Sequence, residues 1–261
     1  MRKVLVALCA LGLVGAFALP AGAGGGKGDL KVATSLPAPG FWNGDTPDTL
    51  DGGFEYELAA VIADQLGYDG VDYSNVSFDA LVAGKAKGFD LALSQVTITK
   101  ERAEVVGFTT PYFSSDQGVL VKTGTTVDDS NLKDIQWGVQ TATTAQTYLK
   151  KEVKPTKKPR SYQETTQAFA ALQAGQVDAV MLDTSIVLAQ ATASDGEFEV
   201  VGQFEVGEEY GGILPKGSKL RKSVNKAIKA LIADGTVDTL RETWLVPEYG
   251  QDPGSVPYLE A

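Results

Sequence analysis

The chain has 261 residues, 43% of them hydrophobic and 21% charged, which is enough apolar content for one large domain or two small ones and too balanced for a disordered chain. It carries 23 Lys and Arg against 33 Asp and Glu, no histidine and one cysteine. An acidic net field argues against nucleic acid or an anionic membrane surface as partner, and the missing imidazoles exclude the usual zinc ligand sets, so no metal and no cofactor are expected.

Residues 1–23 read as a cleaved export signal. Arg2 and Lys3 give a positive start, Val4 to Leu19 is uncharged and apolar, and Pro20 precedes the small-x-small sequence Ala21-Gly22-Ala23. The run is shorter than the roughly 20 residues of a spanning helix, and no second run follows. An uncleaved N-terminal anchor is the alternative. Cys9 lies inside the run, too early for a lipid-attachment cysteine. The exported chain would then hold no thiol and no disulfide, and would rely on its core for stability. Losing Arg2 and Lys3 leaves 21 basic against 33 acidic residues and moves the formal net charge from −10 to −12.

"GGGKG", 24–28, is a flexible linker. "LKVATS", 30–35, reads as a first strand. A long loop rich in Pro, Gly and Asp follows over 36–53, with Phe41 and Trp42 inside it. The spacing of Phe54, Leu58, Val61, Ile62 and Leu66 predicts a helix over 54–67, stopped by Gly67. Strands are expected at 72–78 and 89–94 with a short helix between them, then at 118–122 and 134–140. A helix over 143–152 leads into the basic stretch "KKEVKPTKKPR", 150–160, which is either a solvated helix end or a docking surface. A helix over 165–175, a strand over 178–182, a helix from Thr184 and a strand over 198–204 come next. Two amphipathic helices end the pattern, and a Pro- and Gly-punctuated tail is expected along the surface.

Strand–helix alternation of this density argues for an α/β fold with mostly parallel sheets. An internal echo supports two similar lobes. Residues 80–94 and 171–183 both run from a short helix through glycine to an aspartate at strand entry, an apolar strand and a polar exit. Ligands of open α/β sheets bind at the carboxyl ends of strands, which would set Ser94, Gln95 and Thr97 opposite Asp183.

Each candidate has two readings at this level. Arg102 is a solvated residue at a helix start or a guanidinium for bidentate carboxylate recognition. Thr97 is an ordinary strand residue or a hydroxyl donor beside it. Asp183 caps the helix from Thr184 or receives an ammonium group. "QTATT", 140–144, is a capped turn or an anion site. Phe41, Trp42 and Phe78 are core aromatics or clamps on the aliphatic part of a ligand. No Ser-His-Asp, Cys-His, phosphate loop or HExxH set is present, so no catalytic residues are assigned.

The runs "GGFEYELAAVIADQLG", 52–67, and "GFDLALSQVTITKERAEVVGFTTPYF", 88–113, followed in order by "DAVMLDT" and "GGILPKGS", resemble the extracytoplasmic solute-binding proteins, family 3, that deliver amino acids to ABC importers. The resemblance covers about 30–246. It implies a two-lobed, type II periplasmic-binding-protein-like fold, each lobe a mostly parallel sheet flanked by helices. Lobe I would hold 29–112 plus 211–261 and lobe II 118–205, with hinge crossings at 113–117 and 206–210. The implied location is extracytoplasmic, in the periplasm.

Carried over residue by residue, Arg102 and Thr97 would hold the ligand α-carboxylate and Asp183 its α-ammonium. Ser94 and Gln95 would line a strand end, Thr144 a helix start, and Phe78 with Phe41 or Trp42 would flank the ligand. Ser35 and Gln140 stand where some glutamine-binding relatives carry a carboxylate and a lysine, so a neutral polar side-chain pocket is expected. The implied protein is a monomer that binds an amino acid or close analogue, docks on a membrane permease and does no catalysis. The alternatives are an exported lyase or dehydratase on the same fold, and a ligand-sensing module.

Overall fold

The structure is a computed structural model and describes residues 27–261. The expected export signal, its cleavage site and Cys9 lie outside the described residues.

Two five-stranded sheets make the scaffold. In the first, β1 (Asp29–Thr34) pairs in parallel with β2 (Gly70–Asn75) and β3 (Leu91–Ala92), and β10 (Ile213–Leu214) runs antiparallel between β3 and β4 (Gly107–Phe108). In the second, β6 (Trp137–Gln140) is parallel to β7 (Arg160–Tyr162) and β8 (Ala179–Asp183). There β5 (Phe113–Lys122) lies antiparallel between β8 and β9 (Phe198–Tyr210). The parallel arrangement expected from the sequence accounts for three strands of each sheet. In each sheet one strand is reversed, β10 in the first and β5 in the second, and β4 and β9 run with the parallel strands but pair through the reversed one. β5 carries the chain out of the first half and β9 brings it back. Strands that run between the same two places in opposite directions can pair only antiparallel.

The segments 113–117 and 206–210 are strand residues of this ribbon, with Phe113 opposite Tyr210 and Ser114 opposite Glu209. The register slips between Ser115 and Gln117, and Asp116 fills the irregularity by accepting from the Val206 and Gly207 N–H groups. An irregularity of this kind weakens the ladder locally and lets the ribbon bend.

Helix α1 (Phe54–Leu66) buries Phe54, Leu58, Ala59, Ile62 and Ala63 along one stripe. It ends at Gly67, whose left-handed backbone lets its N–H reach the Ala63 and Asp64 carbonyls. Helices α7 (Arg221–Ala233), α8 (Thr236–Trp244) and α9 (Val246–Tyr249) complete the first core, to which Val224, Ile228, Val237 and Tyr249 contribute. The second sheet is covered by α4 (Thr144–Tyr148), which passes into a π turn over Leu149–Val153, and by α5 (Thr165–Gln173) and α6 (Thr184–Thr192).

The loop 36–53 is folded upon itself, and the expected place of the tail needs correcting. Ala38 bridges Trp42, Asn43 bridges Gly52, and Gly53 sits at φ +118° where a Cβ would lie 2.4 Å from the Phe41 carbonyl oxygen. The tail, assigned above to the first lobe, crosses to the second sheet. Tyr258 forms a bridge with Gln203, the Leu259 N–H donates to the Gln203 carbonyl, and Leu259 lies where a Gly202 Cβ would be. Among the described residues no helix is long and apolar enough to cross a membrane.

Candidate ligand-binding site

The first wall of the site follows β3. Ser94 Oγ accepts from the Ser35 N–H, and Gln95 turns the chain with φ of +48°, a conformation that costs a non-glycine residue energy. Glu55 holds that turn from below, accepting from the Gln95 N–H at 2.9 Å and from its Nε2 at 2.5 Å. Four residues on, Thr99 caps α3 (Lys100–Val105) by accepting from the Arg102 N–H.

The cap fixes Arg102 at the helix start with its side chain turned inward. Nη1 donates to the Thr97 carbonyl at 2.7 Å and Nη2 to the Ala142 carbonyl, across the cleft, at 2.9 Å. The guanidinium carbon stands 5.5 Å from the centre of the Phe78 ring. Arg102 is 8% exposed, and among the described residues no carboxylate oxygen lies within 4.0 Å of it. Burial pushes its pKa down, and the fields of Asp183, Glu208 and Glu101 push it back up. An arginine does not lose its proton under these conditions, so a buried cation faces the cleft without a counter-ion.

The second wall follows β6 and β8. Asp183 sits at the cap position of α6 but makes no cap hydrogen bond. Its Oδ1 accepts from Gln117 Nε2 at 2.7 Å and its Oδ2 from the Tyr210 O–H at 2.5 Å. Burial first, and then the carboxylate of Glu208, raise its pKa to about 7, against the hydrogen bonds and the Arg102 charge.

Glu208 is the acid between the walls. Its Oε2 accepts from Thr97 Oγ1 of the first half at 2.6 Å, and from Thr144 Oγ1 and Gln117 Nε2 of the second at 2.8 and 3.2 Å. Each threonine hydroxyl has one proton, and here both protons go to Glu208. In the 140–144 turn the Thr143 hydroxyl caps the Gln146 N–H, and the Ala142 N–H reaches Gln146 Oε1. Those donors are therefore satisfied internally.

The two walls enclose a cavity of about 40 Å³, with room for only a few waters. Ser94, Gln95, Thr97, Arg102, Phe78, Gln140, Thr144 and Asp183 all line it, with Ser35. Phe78 reaches it as the first residue of α2 (Phe78–Val82) rather than as the end of a strand. Phe41 and Trp42 do not line it. Both are buried in the first core, Phe41 edge-on to Phe54 and Phe113, and Trp42 against Tyr56 and Tyr73 with its indole N–H donating to Glu55. Their expected place beside the ligand is corrected for that reason, and Pro37 is the member of that loop found on the wall.

The expected neutral lining is also incomplete, because Glu164 forms part of it. The sequence reading missed Glu164 and Glu208 because each is charged and looks solvated, Glu164 on the connector before α5 and Glu208 near the end of β9. A larger depression of about 1090 Å³, lined by parts of the crossing strands, α6, α8 and the tail, is open to solvent. Its ion pair, Arg241 with Asp238, is exposed.

Sequence and structure comparisons agree with this architecture. The profile of the bacterial extracellular solute-binding proteins, family 3, matches residues 30–247. The L-cystine-binding protein TcyJ of Escherichia coli (strain K12) is 31% identical over 258 residues, covering 93% of this chain and 95% of the relative. The ABC transporter arginine-binding protein 1 of the same organism is 29% identical over 199 residues, covering 74% of this chain and 81% of the relative. Among solved structures, an ancestral arginine-binding protein bound to glutamine superposes with a TM-score of 0.74 at 34% identity, over 84% of this chain and 98% of that one.

Proposed function

The chain belongs to the bacterial extracellular solute-binding proteins of family 3, and from that premise we propose that it captures an amino acid between its two lobes and delivers it to the permease of an ABC importer. One observation carries the reading. A buried arginine without a counter-ion and a buried, half-satisfied aspartate line the same cavity from opposite walls. A zwitterion supplies the complement of both, and desolvating either charge without a partner costs several kcal/mol, about 3–5 in measured cases. Arg102 takes the α-carboxylate and Asp183 the α-ammonium, while Ser94, Gln95 and Phe78 shape the space around them. Thr97 and Thr144 contribute hydroxyls once Glu208 releases them.

Lobes 29–112 with 211–261, apart from the tail end that pairs with Gln203, and 118–205 part about the 113–117 and 206–210 crossings to admit the ligand, since the closed cavity is too narrow for entry. Differential affinity for the closed arrangement then favours closure. The export reading of residues 1–23 supports a periplasmic location. The matched relatives are binding proteins by name, and nothing favours the lyase or the sensor.

A thermal-shift screen over the amino acids tests this. A cognate ligand at 100 times its dissociation constant adds about 2.7 kcal/mol of stability, enough for a rise of a few degrees. No rise with any amino acid, in protein freed of bound ligand by unfolding and refolding, contradicts it.

A further inference from the structure

The cavity wall is not charge-balanced once a zwitterion is in place. Arg102 is matched by the ligand carboxylate and Asp183 by its ammonium, and this leaves Glu164. That residue precedes α5 and lines the cavity beside Thr165 and Ile186. Among the described residues no lysine or arginine nitrogen comes within 4.0 Å of its carboxylate. The opposite wall adds to the imbalance rather than relieving it. Asp79 follows the cavity-lining Phe78 in α2, and its field joins burial in raising the Glu164 pKa. Glu208 stands behind Thr97 and Thr144 as a further acid. Among the described residues, Arg102 is the only cation on the wall.

We propose that Glu164 recognises a positively charged side chain, so that the ligand class is amino acids bearing a guanidinium or a second ammonium. The inference rests on the amino-acid-binding reading above and names the substrate class of the same site. A neutral side chain leaves Glu164 to lose water without gaining a counter-charge. An acidic side chain brings a third carboxylate between Glu164 and Asp79. Ser35 and Gln140 offer only neutral groups, so the charge selection falls to Glu164, with Asp79 reinforcing it across the cleft.

Calorimetry on refolded, ligand-free protein with L-arginine, L-lysine, L-glutamine and L-glutamate decides the matter, run on the wild type, E164Q and D79N. The wild type should bind arginine or lysine at least about tenfold more tightly than glutamine and should not bind glutamate. E164Q should shrink the cation-to-glutamine ratio by about tenfold, chiefly through lost arginine and lysine affinity, and D79N should shift the ratio the same way by about threefold. A wild type that prefers glutamine or another neutral amino acid overturns the inference and leaves the proposed function standing. So does an unchanged ratio in E164Q, or an equal loss for every ligand. If no amino acid binds the wild type, both fall. Should E164Q lack a cooperative melt, the wild-type ranking decides alone.

Discussion

Glu55 and Asp183 are both buried carboxylates, one beneath the first wall of the cleft and one in the second, yet their surroundings differ in one countable respect. Glu55 accepts four hydrogen bonds, from Trp42 Nε1, the Gln95 N–H, Gln95 Nε2 and the Tyr112 O–H. A carboxylate has about four lone-pair sites, so Glu55 has none to spare. Asp183 accepts two, from Gln117 and Tyr210, and borders a cavity. Saturation marks the first as a structural tie between the 36–53 loop, the β3 exit and the start of the crossing strand. Incomplete satisfaction marks the second as a receptor. Burial and a raised pKa do not separate them, because burial raises both.

The sharpest way to break this contrast is to remove each acid in turn. Glu55→Ala orphans four donors at once, and truncating a buried charged partner costs about 3–5 kcal/mol. Urea unfolding should show that loss, and a change under about 1 kcal/mol would place Glu55 outside the structural role. Asp183→Asn should leave the fold intact and weaken amino acids about a hundredfold, since a charge-assisted pair there is worth about 3 kcal/mol. Its effect on simple carboxylic acids without an amine should be far smaller, and equal losses for both would remove its ammonium role.

A titration sharpens the same contrast. Asp183 must be ionised to receive an ammonium. With its pKa near 7, affinity should fall by up to about tenfold per unit as pH drops below that value. The stability sign is opposite. A folded pKa raised above the unfolded 3.8 gives stability that is complete below about pH 4 and lost as pH rises toward 7. Ligand-free Asp183→Asn should therefore melt higher than the wild type at pH 8 and not at pH 4, and flat behaviour from pH 4 to 8 would contradict the assignment. The smallest change is Trp42→Phe, which removes one of the four donors to Glu55. It should cost about 1 kcal/mol of stability and move ligand affinity less than twofold, and a large affinity loss would return Trp42 to the ligand.

Much of this was legible in the amino-acid sequence, for identifiable reasons. Apolar strands with polar exits located Ser94, Gln95, Thr97 and Asp183, because a strand end is a local pattern. The two readings of Asp183 separated only in three dimensions, where its oxygens turn to Gln117 and Tyr210 and leave the helix uncapped. Phe41 and Trp42 were misplaced because the groups that bury them lie elsewhere in the chain, Phe54 and Phe113 for Phe41 and Tyr73 and Glu55 for Trp42, and no local spacing reveals them. Glu164 and Glu208 were missed because a lone charged residue, whether on the connector before α5 or near the end of β9, carries no sign of which side it faces. The crossing of the tail's end to the second sheet was not legible because its pairing with Gln203 joins residues far apart in the chain.

The central claim is that a buried, unpaired Arg102 and an opposed Asp183 await a zwitterion. Isothermal calorimetry on Arg102→Ala with the amino acid found by screening tests it most directly. Arg102→Ala should give no detectable binding heat, with a melting temperature within about 4 °C of the wild type, since the side chain makes few stabilising contacts beyond two carbonyls. Near-wild-type affinity in a folded variant would contradict it.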